Sequence, residues 1–136
     1  MTADATPSAS DAACVHEGGC HCGAVRFRIA IGKRVVSECN CSMCRKKAAL
    51  HLIVPDSDFT LLSGEESLTT YTFNTHVAQH RFCNRCGIHA FGRPRSQPDK
   101  ISVNLRCLDE DLLDSFTVTP FDGQNWEMTM ASRRKA

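Results

Sequence analysis

The sequence predicts an all-β fold of short strands, stapled by zinc-binding cysteines. Apolar or alternating segments such as 24–31 and 101–105 are separated by glycines, prolines and polar turns, which is the pattern of short strands about four to eight residues long. Nine cysteines among 136 residues stand mostly in close pairs or triplets. A domain of this size has a small core, so bound metal would add stability that the core alone lacks.

Composition and charge narrow the class of protein. From a formal net charge of +1, seven thiolates would remove seven charges and two Zn²⁺ ions would add four, which leaves −2. A nucleic-acid partner is therefore not expected. No run of about 18 apolar residues predicts a membrane span. With an odd number of cysteines and no signal-like segment, we expect a soluble cytoplasmic protein with reduced cysteines rather than a secreted disulfide protein.

The chain divides into three parts. Residues 1–15 are expected to form a disordered tail, because most of these residues are small or polar. Cys14 in this tail is expected to be a free thiol. A zinc domain is expected over 16–127. The segment 128–136 is expected to be a basic C-terminal tail, frayed over 131–136. We find no internal repeat.

Within the zinc domain the elements follow in order. The alternating segment 24–31 predicts a half-buried strand, and the cluster that begins at Cys39 follows it. Pro55 ends the next apolar segment, which contains His51. Gly87, after a pair of cysteines, is expected to take a positive φ angle. Further strands are predicted at 58–62, 68–73, 78–82, 89–91 and 101–105, with a helical turn at 109–113. Segments 116–118 and 120–126 are expected to close the domain.

Two close cysteine pairs predict a structural zinc site. Cys20 and Cys22 form a C-x-C unit, Cys83 and Cys86 form a C-x-x-C unit, and glycines flank both. Four thiolates in two such pairs suit a closed tetrahedral site. Spacing alone does not fix the pairing, since Cys39 and Cys41 could instead join Cys83 and Cys86.

The segment 39–47, CNCSMCRKK, predicts a second site. Cys39 and Cys41 would share one face of an extended strand, and a turn after them would return Cys44 to the same point. Three thiolates leave tetrahedral zinc one ligand short, which is typical of catalytic sites. These three cysteines are the candidate catalytic residues.

The chain resembles the family of glutathione-dependent formaldehyde-activating enzymes and their relative centromere protein V. The matching stretches are GGCHCGAVRF (18–27), CNCSMCRKK (39–47), FNTHVAQHRFCNRCGI (73–88), VNLRCLD (103–109) and FDGQNWE (121–127). The resemblance implies an Mss4-like β-tent of short antiparallel sheets. It also implies a closed zinc site at Cys20, Cys22, Cys83 and Cys86 and an open one at Cys39, Cys41 and Cys44.

The chemistry of a tri-thiolate zinc predicts a reaction at sulfur. Such a zinc is electron-rich and soft, so it suits an incoming thiol, which would lose its proton there. We therefore predict a zinc-dependent carbon–sulfur lyase or synthase. The resemblance implies glutathione as the thiol, with formaldehyde or a related aldehyde. The alternatives are a non-catalytic zinc-binding module and a glutathione-carrier or redox module.

Several further residues are candidates for the substrate pocket. Arg45, Lys46 and Lys47 could bind the carboxylates of glutathione or form a solvated cationic face. His51 is the best candidate for an acid or fourth ligand among the histidines, which also include His76, His80 and His89. Asn74, Thr75 and Asn104 match polar positions of the family motifs and would line the pocket or cap loops. Cys107 is expected to be a buried small hydrophobe, and it would close the open zinc if it approached it.

Overall fold

The computed structural model describes residues 15–135. The expected tail at 1–15, apart from Val15, and the free thiol expected at Cys14 lie outside the described residues. The described part contains ten strands and two α-helices. The strands are β1 (Val15–Gly19), β2 (Arg26–Ala30), β3 (Val35–Cys39), β4 (His51–Pro55), β5 (Phe59–Ser63), β6 (Leu68–Tyr71), β7 (Gln79–Cys83), β8 (His89–Arg93), β9 (Lys100–Asn104) and β10 (Thr117–Phe121), and the helices are α1 (Ser42–Lys47) and α2 (Trp126–Lys135).

The strands form two sheets, one of three strands in the order β1-β2-β5 and one of seven in the order β10-β3-β4-β9-β8-β7-β6. Every pairing is antiparallel except that of β10 with β3, which is parallel. The prediction of a mainly β fold built from short antiparallel sheets is therefore confirmed. Among the described residues, no helix is both long and apolar enough to cross a bilayer.

The core lies between the two sheets. On β2 the buried side chains of Phe27 and Ile29 alternate with the exposed Arg28, as the half-buried pattern predicts. Phe27 and Phe59 of the small sheet both lie against Phe91 of the large sheet, with ring centroids 6.3 and 4.6 Å from that of Phe91. This aromatic contact fixes the small sheet on the large one, and burial of rings of this size is a leading contribution to the stability of a small core.

The chain departs from the sequence predictions at several connections. The strands predicted at 58–62 and 68–73 form as β5 and β6. Although they are neighbours in sequence, they lie in different sheets and do not pair. The helical turn expected at 109–113 does not form, and 3₁₀ turns occur instead at Leu105–Cys107 and Leu113–Ser115. Instead of a frayed end, α2 spans Trp126–Lys135, so the predicted boundary between residues 127 and 128 falls inside a helix. Contacts of Arg95 with Trp126 and Glu127 hold the first turn of this helix.

Candidate metal centres and substrate cavity

The structure brings Cys20, Cys22, Cys83 and Cys86 together, with their sulfur atoms all within 4.8 Å of one another. The Sγ atom of Cys22 lies 3.6 Å from that of Cys20 and 3.7 Å from that of Cys83. A tetrahedral zinc with Zn–S bonds of about 2.3 Å places its sulfurs about 3.8 Å apart. The four thiols therefore fit a closed structural zinc.

Local backbone geometry builds this four-cysteine cluster. Gly23 and Gly87 follow the two cysteine pairs with φ angles of 87° and 82°, which a glycine adopts without strain. The amide of Val25 donates to Cys20 Sγ at 3.3 Å, and the amide of Arg85 donates to Cys83 Sγ at 3.4 Å. Such bonds stabilise thiolates. Because Cys83 ends β7 and Cys20 follows β1, a metal here would tie the two sheets together.

Cys39, Cys41 and Cys44 form a separate cluster, whose sulfur atoms also lie within 4.8 Å of one another. Cys39 ends β3, but Cys41 does not continue that strand as expected. It is the N-cap of α1, where its sulfur accepts from the amide of Cys44 at 3.3 Å. The helix, rather than a simple turn, returns Cys44 to the other two sulfurs. The group contains neither His51 nor Cys107, so it offers three sulfur ligands.

Protonation couples the three thiols of this cluster. Hydrogen bonds from Cys39 and Cys44 hold the pKa of Cys41 far below its ordinary value. For Cys44 the effect is opposite: its interactions with Cys39 and Cys41, together with burial, raise its pKa. Without metal, one thiolate is thus stabilised by its protonated neighbours. A metal cation that displaces the remaining protons would allow all three sulfurs to be thiolates and would balance their charge. Three thiolate donors are a ligand set that fits zinc.

His51 connects the three-cysteine cluster to the sheet. Its Nε2 atom lies 3.1 Å from Cys44 Sγ, and its Nδ1 atom lies 2.8 Å from the hydroxyl of Ser102 on the neighbouring strand β9. Burial, followed by the charge of Lys47, lowers the pKa of His51 to about 4, so the ring is neutral near pH 7. When Nε2 carries the ring proton, it donates to the Cys44 thiolate while Ser102 donates to Nδ1. The ring then orients Cys44, as partners of metal ligands commonly do.

Lys47 lies half-buried between two histidines. Its Nζ atom donates to Nδ1 of His80 at 2.7 Å and to Nδ1 of His89 at 3.2 Å. Burial lowers the pKa of Lys47 to about 8, against the attraction of the three clustered cysteines. Burial and then Lys47 lower the pKa of His80 to about 4. Near neutral pH the arrangement is therefore one ammonium held by two neutral rings.

A loop from the end of the domain holds the cluster from the other side. The amide of Asn40 donates to the carbonyl of Phe121 at 3.2 Å, and the side chain of Asn40 donates to Asp122 and accepts from the amide of Gln124. Gly123 lies so close that a Cβ atom there would collide with Cys39 Sγ and lie 3.0 Å from Cys41 Cβ. Only a residue without a side chain fits here.

A cavity of about 500 Å³ opens beside the three-cysteine cluster. All three cysteines line it, together with His51 and Asn74; their roles in binding and catalysis stay predictions. Thr75, His80 and His89 line it as well. The cavity is also lined by three arginines, Arg93, Arg95 and Arg133. Among the described residues, no aspartate or glutamate lines it.

The other predicted pocket residues lie elsewhere. Arg45, Lys46 and Lys47 are not among the lining residues, since the first two are on the exposed side of α1 and Lys47 is held by histidines. Asn104 is buried; it donates to the carbonyl of His89 and accepts from the amide of Arg106. A direct role for these four in substrate binding stays a prediction. No sequence pattern marked Ser102 or the three arginines, and Gly123 fell in the family-like stretch 121–127 without a predicted role.

Cys107 lies outside both cysteine clusters. Its thiol donates to the carbonyl of His89 at 3.4 Å, and burial raises its pKa to about 11. It packs against the core as the predicted small hydrophobe. It therefore does not close the three-cysteine site.

Comparisons with known proteins agree with this geometry. The sequence profile of the glutathione-dependent formaldehyde-activating enzymes matches residues 15–121. A Halomonas elongata protein, provisionally named as such an enzyme, is 32% identical over 106 residues, which cover 71% of this chain and 67% of that protein. A Talaromyces marneffei protein with the same provisional name is 29% identical over 80 residues, 54% of this chain and only 42% of that protein.

A solved structure shares the architecture. A crystal structure of a Rhodobacter sphaeroides protein superposes with a TM-score of 0.69 at 35% identity, covering 76% of this chain and 99% of that one. Fold and site define a small two-sheet β protein with two cysteine clusters that could hold metal. The chain belongs to the glutathione-dependent formaldehyde-activating enzyme family.

Proposed function

We propose that this protein is a zinc-dependent carbon–sulfur lyase or synthase acting on a thiol–aldehyde adduct, with glutathione and formaldehyde, or a related aldehyde, as the simplest substrate pair. The observation that carries the proposal is the three-cysteine cluster, which lines a cavity of about 500 Å³ and has no fourth cysteine among the described residues. The names of the family and of its relatives supply the choice of thiol and aldehyde.

Cys39, Cys41 and Cys44 would hold the zinc of this open site, and Cys20, Cys22, Cys83 and Cys86 would hold a structural one. Zinc in the open site would supply a soft Lewis acid that favours a thiol in its thiolate form. His51 orients Cys44 and, in the tautomer with the proton on Nε2, donates to its sulfur. Lys47 adds a positive charge near a site whose three thiolates and one divalent ion would carry a net charge of −1.

In the proposed reaction the substrate sulfur forms a bond to the aldehyde carbon. The π electron pair of the carbonyl moves to its oxygen, and that oxygen gains a proton in exchange for the one that the thiol loses. The reverse reaction breaks the same C–S bond. No carboxylate lines the cavity in the described part of the chain, and the Nδ1 atom of His80 is occupied by Lys47. The proton of the thiol therefore leaves to solvent rather than to a carboxylate base.

The test compares the rate of adduct formation from glutathione and formaldehyde with the spontaneous rate, using zinc-loaded protein. We expect Cys41→Ser to remove the acceleration and Cys107→Ser, as the matched control, to retain it. Binding of glutathione without any acceleration would contradict catalysis and favour a glutathione carrier. Absence of both binding and acceleration would favour a non-catalytic zinc module.

We also propose a cytoplasmic location. Eight described cysteines are free thiols, seven of them in the two clusters. Thiolate metal sites of this kind persist where the compartment keeps cysteines reduced.

A further inference from the structure

One wall of the cavity is built by a part of the chain beyond the family match. The matched region ends at residue 121, whereas Trp126 and Arg133 of α2 line the cavity. Trp126 still falls in the stretch 121–127 that resembles the family, whereas Arg133 lies beyond it. Arg133 can therefore carry a selectivity of this chain's own for one thiol over another.

Arg133 lines the same cavity as the three-cysteine cluster. Its guanidinium stands 4.7 Å from the centroid of the Phe121 ring. Phe121 is the register partner of Cys39 in the parallel pairing of β10 with β3. The Arg133 guanidinium thus contacts a residue of the strand that pairs beside Cys39, and the ring restricts where the guanidinium can move.

Arg95 occupies the same cavity wall by a similar contact. Its guanidinium is 3.8 Å from the centroid of the Trp126 ring and donates to the carboxylate of Glu127 at 3.0 Å. These contacts join the loop after β8 to the first turn of α2. The Arg95 guanidinium is therefore held in place at the edge of the cavity, and the carboxylate of Glu127 balances its charge.

The charges that line the cavity are unequal. Arg93 donates to Asp56 at 2.8 Å and to the carbonyls of Pro98 and Lys100, so its donors are largely used. In the part of the chain that the structure describes, Arg133 has no carboxylate partner. With no acidic residue in the described lining, an anionic group entering the cavity meets the uncompensated charge of Arg133.

We propose that Arg133 binds a carboxylate of the thiol substrate, so that α2 selects thiols bearing a carboxylate over neutral thiols. Arg95, held against Trp126, provides a second and weaker positive edge. This inference rests on the proposed function, since it assumes that a thiol occupies the cavity. A planar guanidinium held against an aromatic ring presents its donors to a carboxylate in a fixed plane, which suits bidentate recognition.

The test is calorimetric titration of the zinc-loaded full chain with glutathione, glutathione diethyl ester and 2-mercaptoethanol. The variants are Arg133→Gln and, as a control with the same loss of charge, Arg28→Gln, because Arg28 pairs with Glu17 on the small sheet outside the cavity. We expect Arg133→Gln to weaken glutathione binding about tenfold or more, the range of a charge-assisted hydrogen bond. Binding of 2-mercaptoethanol and of the diester should not change.

The outcomes separate this inference from the proposed function. If glutathione binds the Arg133→Gln and Arg28→Gln variants with equal affinity, or if the diester binds the wild type as tightly as glutathione does, the role of Arg133 is wrong while the thiol site stands. If none of the three thiols binds the wild type, the proposed function itself is contradicted. Since Arg133 lies at an exposed position of a helix, Gln is tolerated there and a folded variant is expected.

Discussion

The Nζ atom of Lys47 lies 2.7 Å from Nδ1 of His80, in a half-buried position where no carboxylate contacts it among the described residues. A buried ammonium without a nearby anion is costly. The groups that act on it with negative charge are the thiolate forms of Cys39, Cys41 and Cys44, which raise its pKa. Lys47 and the three-cysteine cluster therefore compensate one another electrostatically.

This relationship predicts the effect of Lys47→Met. Losing the positive charge should weaken zinc binding at the three-cysteine cluster about tenfold, because charges in partly buried surroundings interact by about 1 kcal/mol or more. The four-cysteine cluster should keep its affinity. Competition with a chromophoric chelator measures both sites. Lys46→Met is the matched control, since Lys46 is the exposed neighbour; equal affinities in the two variants would refute the counter-charge role.

Gly123→Ala should damage the same cluster selectively. The added methyl group would collide with Cys39 Sγ, and the segment cannot move away freely because Asn40 holds Asp122 and Gln124. We expect zinc content to fall from about two ions to about one per chain, with the four-cysteine site retained. Elemental analysis after gel filtration measures this. The control is Gly32→Ala, where a Cβ meets no atom within 4 Å.

Cys107→Ala should leave the zinc content unchanged. Its thiol lies in neither cluster and donates only to the carbonyl of His89 among its described contacts. The loss of one buried weak hydrogen bond and a small side chain should lower the free energy of unfolding by about 1 kcal/mol. Urea denaturation and elemental analysis test the two statements. Loss of one zinc ion would show that Cys107 is a ligand after all.

Acid should destabilise the protein through His80. Burial and Lys47 lower its pKa to about 4 in the folded state, whereas an unfolded histidine titrates near 6.5. Between these values the unfolded state binds more protons, so the free energy of unfolding falls as pH decreases from about 6.5 to 4, by up to about 1.4 kcal/mol per pH unit for one such group.

The His80→Gln variant should therefore show a shallower loss of stability over that range than the wild type. Urea denaturation at several pH values gives the slope. His76→Asn serves as a control because His76 is exposed and asparagine tolerates its positive φ of 61°. Identical slopes in His80→Gln and the wild type would contradict the assignment.

The cysteine units that build the two clusters are predictable from the sequence because they are short local motifs, whereas spacing left open which units come together. C-x-C and C-x-x-C units bring sulfurs together through neighbouring backbone, and Gly87 takes the positive φ that its place predicts. Strand β2 was likewise predictable, since Phe27, Arg28 and Ile29 alternate in burial.

The surroundings of the clusters could not be predicted in the same way. Ser102 contacts His51 although 51 residues separate them in the sequence. Gly123 lies against Cys39 because it follows β10, which pairs in parallel with β3. Helix α2 contacts Arg95, Asp122 and Phe121 through Trp126, Thr129 and Arg133, and no local sequence signal reveals these contacts. The cations predicted beside the cysteines, Arg45, Lys46 and Lys47, do not line the cavity. The cations that line it are arginines from distant parts of the sequence.

The central claim is that the three-cysteine site accepts the sulfur of a substrate. Cadmium NMR of protein with cadmium in place of zinc tests it directly, because the cadmium shift reports the number of sulfur ligands. We predict two resonances, of which one moves toward the four-sulfur position when glutathione is added while the other stays. Two resonances that both ignore glutathione, or a single resonance, would contradict an open thiol-binding metal site.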